Sequence, residues 1–166
     1  MSDHFNIPEI ALDWHRAGAG AALATVVETW GSAPRRTGSQ LVIAGDGRIE
    51  GSVSGGCVEG AVLVEALEAL DDGKHRLLEY GVSDDDAFAV GLACGGTIKV
   101  LVEPVGGALP VDLLEELVAA RKKRIALAYE VDLDSGARRL VRDGYAERLR
   151  MDRSGVEEDA ECSRRF

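Results

Sequence analysis

Residues 53–70 read VSGGCVEGAVLVEALEAL, and the fold turns on how this stretch changes its period. Val53 closes a short strand, Gly55-Gly56 can turn the backbone through conformations that other residues avoid, and from Cys57 to Leu70 the apolar residues recur at helical spacing. Val58, Val62, Ala66 and Ala69 share one stripe, and Asp71-Asp72-Gly73 supplies a stop. A strand that passes through a glycine turn into a helix points to an α/β fold. Cys57 falls at the predicted helix N-terminus.

Reading outward toward the N-terminus, Gln40 to Ala44 and Arg48 to Val53 flank Gly45-Asp46-Gly47 as a hairpin. Before them stands a Gly, Ser and Pro-rich loop, GSAPRRTGS (31–39), and before that AALATVVETW (21–30), whose β-branched and apolar run predicts a buried strand. Pro8 to Gly18 suits a short helix. In the other direction His75 to Tyr80 and Thr97 to Val102 are strands, with a polar loop at Ser83 to Ala87 and with Cys94 in the loop that feeds the second. Val111 to Lys122 is an amphipathic helix that follows Pro110 and ends in basic residues favourable to its dipole. Ile125 to Val131 and Ala137 to Val141 pair across Asp134-Ser135-Gly136. The expectation is one α/β domain over residues 1–149, a mixed β-sheet flanked by helices, with a charged and disordered tail at 150–166.

A chain of 166 residues is long enough for one core that needs no staple. Its formal charge of −10 repels phosphate backbones, which argues against nucleic acid and anionic membranes as partners. There is no apolar run of membrane-spanning length, and MSDHFNIPEI lacks the pattern of a secretory signal, so the expected location is the cytoplasm. Three cysteines, Cys57, Cys94 and Cys162, are an odd set where thiols stay reduced, so a structural disulfide is the lesser use.

Two cysteines are framed by glycine pairs, as Gly55-Gly56-Cys57 and as Cys94-Gly95-Gly96. Free amides in a first helical turn favour an anion and lower the pKa of a thiol placed there, against which stands the plainer use of Cys57 as a small buried residue and of Glu59 as an acidic first-turn residue. Two soft thiolates brought together from separate loops could bind a soft metal, pass sulfur or form a redox couple. Without CxxC spacing or a nearby histidine they make a poor zinc site. Arg35 and Arg36, in their glycine and proline frame, could clamp a phosphate or carboxylate, or else be solvated loop charges. No dinucleotide fingerprint, P-loop, HExxH or GxSxG occurs, and three consecutive aspartates, Asp84 to Asp86, cannot all converge on one ion.

The blocks GSAPRRTGSQLVIAGDGRIEGSVSGGCVEGAV and GLACGGTIKVLVEPV resemble the N-terminal domain of the xanthine dehydrogenase accessory factors, the XdhC/CoxI family, from Ala22 to Pro104 at least. The resemblance implies a molybdenum cofactor-binding chaperone rather than a catalyst, which favours the sulfurated cofactor and inserts it into a molybdenum hydroxylase of the xanthine dehydrogenase or carbon monoxide dehydrogenase type. It implies a cysteine desulfurase as sulfur source, and a homodimer. Many members carry a second, Rossmann-like domain, for which this sequence has no room after Phe166, so a separate second subunit is a further candidate partner. On this reading Cys57 and Cys94 address the metal end of the molybdopterin. Arg35 and Arg36, or the amides of Gly55 and Gly56, address its phosphate, Glu59 and Gln40 the pterin edge, and Gly95 and Gly96 are further cofactor-binding candidates. The alternative is a thiol enzyme or sulfur carrier in which Cys57 is the nucleophile and Cys94 its resolving partner.

Overall fold

The chain runs α1 (Ile7–Arg16), β1 (Ala22–Trp30), β2 (Gln40–Ile43), β3 (Ile49–Gly51), α2 (Glu59–Asp72), β4 (Arg76–Tyr80), β5 (Thr97–Pro104), α3 (Val111–Lys122), β6 (Ala128–Val131) and β7 (Arg138–Val141). This is a computed structural model, and it describes residues 6–81 and 95–142. The expectations for Ser83 to Ala87, for Asp84 to Asp86, for Cys94 and for the tail with Cys162 lie outside the described residues.

Five strands form one sheet in the order β3-β2-β1-β5-β4, and β6 and β7 pair separately as a hairpin. The α/β character with flanking helices holds, but every pairing among these strands is antiparallel, where a mixed sheet was expected. The strand, glycine turn and helix read around residues 53–70 do exist, as β3, the loop at residues 52–58 and α2. β3 and β4 run in the same direction on either side of α2, yet they lie at opposite edges of the sheet, with the oppositely directed β2 and β5 between them.

Helices cover both faces, which explains why β1 is an apolar run instead of an alternation. Ala22, Ala24 and Val26 meet the buried stripe of α2, Val62, Ala66 and Ala69, together with Ile43 and Val100. Leu23 and Val27 face the other way, toward Ile7, Ala11 and Leu12 of α1, Leu114 of α3, and Tyr129 and Val131 of the hairpin. Each such Leu, Ile or Val taken fully out of water contributes roughly 1.5–3 kcal/mol. A register shift between Val26 and Glu28 lets Glu28 and Trp30 fall opposite Lys99 and Thr97 at the open end of the strand pair. Gly73 closes α2 in the left-handed conformation at φ 74°, its amide donating to the carbonyl of Ala69 at 2.9 Å.

The hairpin is tied to the sheet by a charged group within the core. Glu103 on β5 is 1% exposed and accepts from the Tyr129 hydroxyl at 2.8 Å and from Arg138 Nε at 2.5 Å. Burial pushes the Glu103 carboxyl up, against the downward pull of Arg138 and Tyr129.

Candidate functional site

The alternating strand directions bring three loops to one end of the sheet. Trp30 ends β1 opposite the start of β5 at Thr97, β2 begins there at Gln40, β3 ends there at Gly51, and β4 ends there at Tyr80 opposite Ile98. The arginine loop (31–39), the cysteine loop (52–58) and the approach to β5 at Gly95-Gly96 therefore share one end, together with the N-terminus of α2. The first and third touch. A Cβ on Gly96 would stand 2.8 Å from the amide nitrogen of Ala33 and 2.8 Å from the carbonyl carbon of Ser32, and one on Gly31 would lie 3.5 Å from the Cα of Gly96. Only a residue without a side chain permits that approach.

Cys57 is exposed and its thiol is free. It lies one residue ahead of the N-cap Val58, and α2 starts at Glu59 rather than at Cys57 as the periodicity suggested. The Val58 amide, one of the donors a helix start leaves without an intrahelical acceptor, donates to the Ser54 hydroxyl oxygen at 2.9 Å. Gly55 and Gly56 hold φ of 76° and 112°, values that other residues rarely adopt, although a Cβ on either would meet nothing within 4 Å. Conformation, not crowding, makes these positions glycine.

Glu59 is buried, with both oxygens occupied. One accepts from the Ser52 hydroxyl at 2.8 Å and from the amides of Val53 at 3.2 Å and Ser54 at 3.0 Å. The other accepts from the Ser54 hydroxyl and from the Gly56 amide, the latter at 2.9 Å. Burial alone would raise its pKa, but the Ser54 hydroxyl and amide and the Ser52 hydroxyl outweigh that and hold it down to about 2. The Gly55 amide donates to the Ser52 hydroxyl oxygen at 2.8 Å. The amides of Gly55 and Gly56, read from sequence as free for a phosphate, are thus already engaged within the loop. The carboxylate of Glu59, expected at a pterin edge, is spent on the same loop.

Arg35 is half-buried and its Nε is buried with no hydrogen-bond partner, whereas Arg36 is exposed. A shielded guanidinium nitrogen without an acceptor suits an anion that has yet to arrive. Gln40 reaches the cysteine loop through its backbone, its carbonyl accepting the Ser52 amide at 2.9 Å, while its side-chain amide turns away to donate to Thr25 Oγ1 at 3.2 Å. Trp30, 49% exposed beside the arginine loop, carries the Lys99 ammonium 5.1 Å from its ring centroid, and Lys99 in turn pairs with Glu28 at 3.1 Å. Sequence reading passed over Trp30, Ser52 and Ser54. Only the Ser-x-Ser-Gly-Gly spacing ahead of Glu59 signalled the serines, as hydroxyls able to bridge amides to an acid. Among the described residues no group of three or more His, Cys, Asp or Glu could hold a metal ion, and no helix is long and apolar enough to cross a membrane.

The arginine and cysteine loops that meet at this end fall within residues 14–81, which match the XdhC and CoxI family. The chain carries an XdhC/CoxI domain. It is 38% identical over 133 residues to the molybdenum cofactor insertion chaperone PaoD of Escherichia coli K12, an alignment covering 80% of this chain and 41% of PaoD. It is 36% identical over 87 residues to a probable xanthine dehydrogenase subunit of Bacillus subtilis 168, covering 51% of this chain and 26% of that protein. The chain thus spans less than half the length of these curated relatives. A crystal structure described as a xanthine dehydrogenase from Bacillus halodurans superposes with a TM-score of 0.72 at 22% identity, over 96% of this chain and 51% of that one, and so shares the fold of this XdhC/CoxI domain.

Proposed function

We propose that this chain is a molybdenum cofactor-binding chaperone that receives the cofactor, holds it for sulfuration and inserts it into a molybdenum hydroxylase. The observation that carries the reading is the placement of an exposed thiol, an arginine whose buried Nε has no hydrogen-bond partner and the Gly95-Gly96 approach at one end of the sheet. That PaoD is named an insertion chaperone supports it. The cofactor is cargo rather than a resident group, and it offers a thiophilic metal at one end and a phosphate at the other. Cys57, with Cys94 beyond the described residues, would address the metal end or its sulfur ligands. Arg35 and Arg36 would take the phosphate bidentately, since the neighbouring glycine amides are engaged.

On this reading the chain does no chemistry of its own. Sulfur comes from a cysteine desulfurase, the recipient is a hydroxylase apoenzyme of the cytoplasm, and a homodimer or a separate Rossmann-like subunit completes the assembly. The test is anaerobic loading. Purified protein is incubated with freshly released cofactor and passed through gel filtration, and molybdenum and pterin are assayed in the protein peak. Near-stoichiometric co-elution is expected for the wild type, with loss in Cys57→Ser and in Cys94→Ser. Arg35→Ala should weaken retention by about tenfold or more, the value of one charge-assisted hydrogen bond. Absence of cofactor from the wild-type peak, with and without the candidate second subunit, would sink the proposal.

A further inference from the structure

The cysteine loop is organised around a single carboxylate. The amides of Val53, Ser54 and Gly56 donate to Glu59 directly. Those of Gly55 and Val58 donate to the hydroxyl oxygens of Ser52 and Ser54, and both hydroxyls donate their hydrogens to Glu59. Five loop amides are therefore satisfied, at first or second hand, by one buried side chain that itself belongs to the first residue of α2. The turn follows a path of φ 76° then 112° with open space beside both glycines, so no side-chain crowding at these two positions enforces it. Cys57 emerges from this path exposed to solvent.

The charge requirement is specific. Backbone N–H groups, which cannot be turned into acceptors, point at both oxygens: Val53 and Ser54 at one, Gly56 at the other. A glutamine has one oxygen and one NH2, so in either orientation its NH2 would face at least one backbone N–H. An amide cradle of this kind, next to a helix N-terminus, is a place where anions bind. Here the anion is built in.

We propose that Glu59 is the positioning residue of the site: its carboxylate fills the amide cradle, fixes the Gly55-Gly56 turn that presents the Cys57 thiol, and leaves Arg35 and Arg36 as the anion clamp. The proposal rests on the reading of Cys57 as a cargo contact, but its first readout needs no cargo. Amide hydrogen exchange at Val53, Ser54 and Gly56 is measured in the wild type, in Glu59→Gln and in Glu59→Ala, the last with and without sodium formate as a small replacement carboxylate. Exchange should accelerate about tenfold to a hundredfold in both variants, matching the loss of a hydrogen bond to a charged group. Formate should restore protection in Glu59→Ala and leave Glu59→Gln unchanged, which loss of packing alone would not produce. Cofactor loading should fall in both variants, with formate recovering it only in Glu59→Ala. Unchanged protection in Glu59→Gln, or a folded Glu59→Ala indifferent to formate, would overturn the proposal. Where neither variant folds, the wild type decides: loop amides exchanging as fast as unprotected ones would overturn it, and protection matching that of α2 would sustain it. A wild type that is protected as expected yet loads no cofactor would count against the chaperone reading and leave the role of Glu59 in the loop intact.

Discussion

Three glycines near the site are constrained in three ways, and alanine at each has a different outcome. Gly56 needs a positive φ, Gly96 needs the absence of a Cβ because the Ser32–Ala33 backbone stands 2.8 Å away, and Gly60, in the first turn of α2, needs neither. Gly60→Ala should stabilise the protein by about 0.5–1 kcal/mol, through a smaller loss of backbone freedom on folding. Gly96→Ala should cost about 1–3 kcal/mol, because neither loop backbone can withdraw freely. Urea unfolding of the two variants checks the pair, and equal shifts of one sign would contradict the geometry. What glycine marks was legible as conformation: the tight turn at Gly55-Gly56 and the close backbone approach at Gly96. What could not be read was the use of Glu59: an acid beside a helix start is a common sight, and only the turn of the preceding loop shows that its donors come from residues 52–56 rather than from a ligand.

The β6–β7 hairpin depends on polar anchoring as well as apolar packing. Arg138 is 8% exposed and pairs with Glu103, and the Tyr129 hydroxyl completes the cluster. Removing one member of a buried pair strands the other charge, so Arg138→Leu should cost about 3–5 kcal/mol, and adding Glu103→Leu should recover most of that loss. Thermal denaturation of the single and double variants tests it; a double variant no more stable than the single would mean that packing, not charge, holds the hairpin. The hairpin itself was foreseen from Asp134-Ser135-Gly136, and α3 begins and ends where Pro110 and the basic cluster at Arg121 and Lys122 indicate. Glu103 was not, because an acid near the end of the strand TIKVLVEP reads locally as an exposed terminus. The pairing of the strands was likewise hidden. The sequence order β3-α2-β4 suggests parallel neighbours, and nothing local says that β5 will insert beside β1 and send β4 to the far edge.

For the whole molecule, the carboxyl groups divide by sign. Asp46 and Asp72 have lowered pKa values, Asp46 chiefly through the backbone amide of Arg48 and Asp72 chiefly through the Arg76 guanidinium, and Glu59 falls from 4.5 to about 2. A carboxyl whose pKa falls on folding contributes stability that is present above its unfolded value and is lost as pH falls toward its folded value. Glu103 has the opposite sign, since burial raises its pKa and protonation then favours the folded state. Asp46, Asp72 and Glu59 therefore contribute stability that is present above the unfolded carboxyl values and lost as pH falls, for Glu59 between about pH 4.5 and about pH 2, whereas the contribution of Glu103 is present below its unfolded value and lost as pH rises. The share that belongs to Glu59 can be isolated. In Glu59→Gln the group no longer titrates, so the variant should be less stable than the wild type at pH 7, and the gap should close progressively as the wild-type carboxylate is protonated toward pH 2. Urea unfolding of both proteins at pH 7, 4.5, 3 and 2 measures that gap. If it stays constant across the series, the destabilisation comes from shape rather than charge, and the amide cradle does not require an anion.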